Sequence, residues 1–330
     1  MTIKKIIRGT LFFTLGIGMF WYVYRDLDLS VLEETLYELK YEWIFASFFF
    51  GLLSHYIRAL RWKMLIESLG HKPRSLNLFL SVLVLYFVNL IIPRGGEFAR
   101  CGTVSRYEKI PFMRLFGTVF VERITDIFAF LVIFLGVIIW KFELVKTLIG
   151  SLNFDLSGYH TKIMLVGVGG LVMVLFYFVS RRFGLLDRFH HKIKTVKANI
   201  KNGLQSILLI RNVWLYLAHT AVIFIAWLLM LYVIFFAYAP TSNMTFGAAI
   251  FAYTVGTLAY FLPIQAGIGV WHFLIIQSLF FFGLEKEAGM MYALIAHTFT
   301  NLVYLIFGGV GFLVLPFVNQ KEMHLVKTYK

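Results

Sequence analysis

Three short runs carry residues that an apolar helix does not ordinarily hold. The first is Glu122-Arg123-Ile124-Thr125-Asp126, inside the apolar stretch 112–140. Glu122 and Asp126 stand one helical turn apart on one face. Two carboxylates so placed repel each other, so a cation must lie between or beside them. Arg123 can pair with Asp126 at i, i+3. With a helix starting near Arg114, Glu122 lies roughly 12 Å deep at about 1.5 Å per residue. Charges at such depth either contact a substrate or form a buried ion pair that joins helices.

The second run is Pro93-Arg94-Gly95-Gly96-Glu97-Phe98-Ala99-Arg100. Pro93 ends a helix, and Gly95 and Gly96 allow a tight turn. A helix beginning near Gly96 presents free N–H groups and a positive dipole end. Together with Arg94 and Arg100 it suits a lipid phosphate. The plainer alternatives are Glu97 as a helix-start acid and Arg100 facing cytoplasmic headgroups. The third run, Pro263-Ile264-Gln265-Ala266-Gly267-Ile268-Gly269, interrupts another apolar stretch. Backbone freed by such a break is tolerated only under a cover of protein or beside a water cavity. His272, just beyond, can titrate near neutrality or simply bond a neighbouring helix.

Other reactive residues give weaker signals. Arg58 and Arg61-Trp62, near the end of an apolar stretch, are expected to mark the membrane interface. His55, His219 and His297 stand singly, without metal-ligand spacing. One cysteine, Cys101, excludes an intrachain disulfide and a cysteine-cluster metal site. There is no phosphate-binding Walker loop, dinucleotide fingerprint or nucleophile elbow. No soluble-type catalytic machinery, metal or cofactor is expected.

The elements that position these runs are membrane helices. Hydrophobic residues make up 60% of the 330 and charged residues only 15%, with a mean hydropathy of +0.79. A soluble domain carries about 25% charged residues. The net charge of +14 fits basic cytoplasmic loops better than nucleic acid. Apolar lengths near 20 residues predict spans at 6–24, 43–60, 112–140, 161–180, 212–238 and 290–315. The N-terminal run resembles the start of a signal peptide but lacks a small-x-small cleavage site, and is read as an uncleaved span.

Charge fixes sidedness. Loop 181–211 holds eight Lys/Arg against Asp187 and reads as cytoplasmic; loop 25–42 holds six acids against Arg25 and Lys40 and reads as external. The basic stretches 58–74 and 94–114 both read as cytoplasmic. The apolar stretch between them therefore enters and returns on one side, turning at Pro93 to Gly96. By the same parity 246–284 dips in from the external face, turning at Pro263 to Gly269. The predicted fold class is an all-α polytopic membrane bundle, about six full spans plus two re-entrant hairpins. It forms one transmembrane domain, 1–330, with inverted halves at 43–140 and 212–315. That arrangement puts a substrate site where the broken helices meet. The alternative is eight or nine ordinary spans.

Arg58-Ala59-Leu60-Arg61-Trp62, the Pro93 to Arg100 run, Val121-Glu122-Arg123-Ile124-Thr125-Asp126 and Pro263 to Val270 occur in an order and spacing that resemble one family. It is the flippase-like transmembrane domain of lysylphosphatidylglycerol synthase, the multiple peptide resistance factor. The resemblance runs from about residue 10 to 318. It implies movement of a polar-headed, anionic or aminoacylated phospholipid between leaflets. The chain looks like a stand-alone member without the aminoacyltransferase domain, so synthase activity is not implied. Gln265-Ala266-Gly267 and His272 depart from the family pattern and point to a different headgroup.

The expected headgroup contacts are Arg94, Arg100 and Arg123 for phosphate, with Glu97, Glu122 and Asp126 balancing them or meeting a cationic group. Rival functions are an intramembrane transferase on lipid-linked substrates and a scaffold for a separate lipid-modifying enzyme. The expected partners are the phospholipid substrate, membrane lipids and such an enzyme. The expected location is the bacterial inner membrane, with both termini cytoplasmic.

Overall fold

The computed structural model describes residues 14, 16–25, 27, 29–92, 94–143, 209–262 and 264–320. Pro93, Pro263, span 161–180, loop 181–211 up to residue 208, and most of span 6–24 before residue 16 lie outside the described residues. Every regular element among those described is helical. Residues 16–24 form α1, followed by α2 (Leu29–Glu38), α3 (Tyr41–Glu67), α4 (Ser75–Ile91), α5 (Gly96–Glu108) and α6 (Phe112–Trp140). After the undescribed segment come α7 (Val213–Val233), α8 (Phe246–Thr257), α9 (Val270–Phe280) and α10 (Lys286–Val318). Helices α3, α6 and α10, and α7 with its short continuation to Phe236, are long and apolar enough to cross a membrane. Their outward faces are apolar, as lipid contact requires: Val132 and Ile139 on α6 and Leu313 and Phe317 on α10 are largely exposed.

Helix α3 is longer than the 43–60 span expected. No breaker interrupts it before Gly70, whose φ of +85° ends the turn that follows. Arg58 and Arg61 therefore sit inside a helix, not at its end. This corrects their assignment to the membrane interface.

Both expected hairpins are present as helix–break–helix units. Helix α5 has 13 residues and α9 has 11, about 20 and 17 Å long at 1.5 Å per residue. Neither reaches across a hydrocarbon core of about 30 Å, which favours re-entrant hairpins over eight or nine ordinary spans. At the first break the left-handed turn falls on Arg94, φ +60°, and Gly95 keeps an ordinary helical φ of −74°. Gly96 is needed for a different reason from chain reversal: a Cβ there would lie 2.1 Å from the carbonyl oxygen of Leu85. Only glycine lets α5 start against the α4 backbone. The second break spends three left-handed residues, Ala266, Gly267 and Gly269.

The long helices join the hairpin bases. Helix α6 starts beside the first hairpin's base and ends where Trp140 would touch a Cβ on Gly247, at the start of α8. Lys141 lies over the Phe282 ring, just past α9. Helix α10 runs the other way. It starts after α9 and ends where Asn319 and Asn77, at the start of α4, exchange two amide hydrogen bonds of 2.9 Å. The two bases thus lie at opposite ends of the bundle and the two tips meet inside it. Gln265 donates to the carbonyls of Leu90 and Ile91, and Arg94 donates to the Phe261 carbonyl at 3.1 Å.

Candidate functional site

On α3 the residues His55, Arg58, Arg61 and Trp62 recur at helical spacing and share one face. That face meets the first turn of α5 and the polar turn of α6. Arg61 supplies the cation that Glu122 and Asp126 require. Its Nη2 lies 2.7 Å from Asp126 Oδ1 and 3.4 Å from Glu122 Oε1, and its Nη1 donates to Thr220 Oγ1 of α7 at 3.0 Å. Arg58 Nη1 donates to the other Asp126 oxygen at 3.1 Å. Arg100 Nη2 donates to Glu122 Oε2 at 2.5 Å. Its guanidinium lies over Trp62, 4.4 Å from the ring centroid, and Trp62 in turn donates to Thr118 at 2.8 Å.

Glu97 joins the same network. It pairs with Arg100 at 2.8 Å and with Arg123 at 3.4 Å, both close enough for an ion pair but angled away from a hydrogen bond. Arg123 also pairs with Asp126 at 3.2 Å, as the i, i+3 spacing predicts. Four guanidinium groups therefore face three carboxylates, a formal excess of one positive charge. Burial grades across the network. Arg61, Arg100 and Glu122 side chains are sealed, Asp126 is 13% exposed, Glu97 20% and Arg123 42%.

Arg61 Nε and Arg100 Nη1 are buried without a hydrogen-bond partner, and Arg58 carries two such nitrogens. Arg58 is buried, and its Nε and Nη2 have no hydrogen-bond partner. Its guanidinium lies 4.9 Å from the centroid of the Trp227 ring of α7. Tyr86, Tyr253 and Tyr304 interact with it electrostatically. Tyr86 stacks between His55, at 4.1 Å, and Tyr304, at 4.8 Å. The Tyr253 hydroxyl is buried without a partner. Unsatisfied donors of this kind are costly inside a protein, and a cluster of them in a network with one excess positive charge is what an anionic ligand would satisfy.

Of the residues singled out in the sequence, Glu97, Arg100, Glu122, Arg123 and Asp126 come together. Arg94 does not join them; it is exposed and occupied at the opposite hairpin tip. The N–H of Gly96, expected to be free, is taken by Asn89 Oδ1 at 2.8 Å. Glu108 is the last residue of α5. Its Oε1 accepts from Asn77 Nδ2 at 2.6 Å and from the Arg74 N–H at 3.1 Å, closing the hairpin base. His272 lies on the second tip, 4.4 Å ring to ring from His297. Sequence reasoning missed Arg58, Arg61, Thr220 and the tyrosines. The i, i+3 repeat of His55, Arg58 and Arg61 was the available signal.

Comparison with known proteins fits this architecture. The family model described as the lysylphosphatidylglycerol synthase TM region matches residues 6–308. A curated relative, the UPF0104 membrane protein MJ1595 of Methanocaldococcus jannaschii, is 31% identical over 176 residues, 51% of this chain and 52% of that protein. The match spans about half the length of that relative. No solved structure matches the chain. The family match covers most of the chain, so this integral membrane protein belongs to the lysylphosphatidylglycerol synthase transmembrane-region family.

Proposed function

We propose that this protein moves a polar-headed phospholipid between the leaflets of the bacterial inner membrane, with its phosphate received at Arg58 and Arg123. The observation that carries the reading is the excess positive charge of the buried network together with the unpartnered Nε and Nη2 of Arg58. A phosphodiester brings one negative charge and acceptor oxygens, which neutralise the one and satisfy the other. Arg123, the most exposed member, is the first guanidinium a headgroup would reach. Arg100 then acts from behind, holding Glu97 and Glu122 so that they do not neutralise Arg58.

The halves 43–140 and 212–315 are read as inverted repeats. Each contains a long helix, a broken hairpin and a second long helix, and the hairpin bases lie at opposite ends. A site at the meeting of two such tips is open to alternating exposure, the arrangement used by transporters built on inverted repeats. The charge distribution of the sequence supports cytoplasmic termini and a first hairpin that opens inward. The rival reading, a scaffold for a separate lipid-modifying enzyme, takes its support from the family's description as part of a synthase.

The deciding experiment uses purified protein in vesicles of phosphatidylethanolamine and phosphatidylglycerol, with a tail-labelled fluorescent phosphatidylglycerol quenched from outside. Protein-dependent loss of the protected inner-leaflet signal is expected, and Arg58→Gln should abolish it. A well-folded parent protein that leaves the inner-leaflet signal as protected as in empty vesicles would refute lipid movement and leave the scaffold reading.

A further inference from the structure

The second hairpin tip holds a buried polar centre that the arginine network does not use. His272 is the third residue of α9, and its Nδ1 accepts the N–H of Gly269 across the break at 3.3 Å. An accepting Nδ1 carries no proton, so in this arrangement His272 is neutral, with its hydrogen on Nε2. That Nε2 is buried and has no partner. His297 of α10 packs against it, ring centroids 4.4 Å apart. His297 Nε2 lies 2.9 Å from the carbonyl oxygen of Ala266 and so donates to it, and Asn301 Nδ2 lies 3.0 Å from His297 Nδ1. The two imidazoles thus grip both sides of the break, one through Ala266 and the other through Gly269. Both of those residues are left-handed.

The grip is closed from outside by α1. Phe20 and Tyr24 present their rings edge-on to His272 at 5.2 and 5.5 Å. A Cβ on Gly269 would lie 2.4 Å from the Gly16 carbonyl oxygen, so α1 rests directly on the break. The titratable group whose ring meets the pair is Tyr24 from α1, and Tyr260, in the turn that follows α8, lies beside Gly267 of the break. The hydrogen-bond partners of the two rings are the Gly269 N–H, the Ala266 carbonyl and the Asn301 amide, none of them charged.

We infer that the His272–His297 pair is a proton-binding site whose occupancy releases the second hairpin, so that protons gate the lipid movement proposed above. A proton added to His272 Nδ1 sets a donor against the Gly269 N–H and breaks the bond across the tip. It also leaves a buried imidazolium beside a second ring, among hydrogen-bond partners that carry no charge to balance it. The protonated form is therefore better accommodated when the tip lifts from α1 and α10 and meets water. By linkage, protons favour that conformation by the same factor by which the conformation favours protons. The effect reaches the arginine side because Gln265, in the same turn as Ala266, carries the contact to Leu90 and Ile91. The proton comes from and returns to the water that opening admits.

This inference rests on the lipid reading for its output but not for the proton site itself, and the test separates the two. The first measurement is imidazole nitrogen NMR of the full-length protein between pH 8 and 5, assigned with His272→Gln and His297→Gln. We expect a neutral Nε2–H signal for His272 at pH 8 that titrates on acidification. The second is lipid movement in the vesicles described above at the same pH values. The parent rate should rise with acidity, by up to about tenfold per pH unit while the protonated fraction is small. Either glutamine variant should flatten that dependence. A parent rate independent of pH, a His272 signal that stays neutral to pH 5, or an unchanged slope in folded variants would each overturn the inference. Titration without any lipid movement in the parent would instead refute the lipid reading and leave the proton site standing.

Discussion

Glu122 is the most informative position for testing whether the charge network is a single coupled unit. Its side chain is sealed, and both carboxylate oxygens are used, one 3.4 Å from Arg61 and the other 2.5 Å from Arg100. Glu122→Gln keeps the volume, so no cavity contributes. It removes one negative charge and turns an N–H2 group toward a guanidinium, which has only donors to offer. The formal excess of the network rises from one positive charge to two. Breaking a buried pair in this way costs about 3–5 kcal/mol, which shifts the folded-to-unfolded ratio by a hundred-fold or more. The thermal midpoint in a fixed detergent should fall markedly. Adding Arg100→Gln restores the original excess, so the double variant should be more stable than the sum of the single losses by about 0.5–3 kcal/mol. Glu67→Gln is the control, since Glu67 is 46% exposed and 3.8 Å from Lys63; its effect should stay within about 1 kcal/mol. If Glu122→Gln matches that control, or if the two substitutions simply add, the network is not a coupled buried unit and the reasoning built on its net charge fails.

Two further outcomes follow from the hairpins. In a Cys101→Ser background, cysteines at Lys72 and Lys109, both exposed at the first hairpin's base, should react with a membrane-impermeant reagent from the same side; labelling from opposite faces would contradict the helix–break–helix unit. Gly96→Ala should destabilise the protein by about 1–3 kcal/mol through overpacking against the Leu85 carbonyl, whereas Gly102→Ala, with open space around it, should be neutral or slightly stabilising in the same unfolding assay.

Local pattern in the amino-acid sequence marked the long helices among the described residues and the breaks between the shorter ones. Apolar length gave the long helices, because a membrane imposes its thickness on any helix that crosses it. Proline and glycine marked the places where the ladder of backbone bonds stops. The one-turn spacing of Glu122 and Asp126 required a nearby cation whatever the fold. The sequence also carried the family resemblance, which the match over residues 6–308 supports. What it did not carry was the identity of the partners. Arg61 lies 61 residues before Glu122, and Thr220, which fixes the other side of its guanidinium, lies 159 residues away. A basic residue near the end of an apolar run looks the same in sequence whether it faces headgroups or a buried carboxylate. Only the extension of α3 to Glu67 and its packing against α5, α6 and α7 distinguish the two. The turn at Arg94 and the crossing of the two tips were hidden for the same reason. Left-handed backbone at a non-glycine residue, and bonds such as Gln265 to Leu90, are strained or isolated locally. They are stabilised by contacts between segments that only the folded chain brings together.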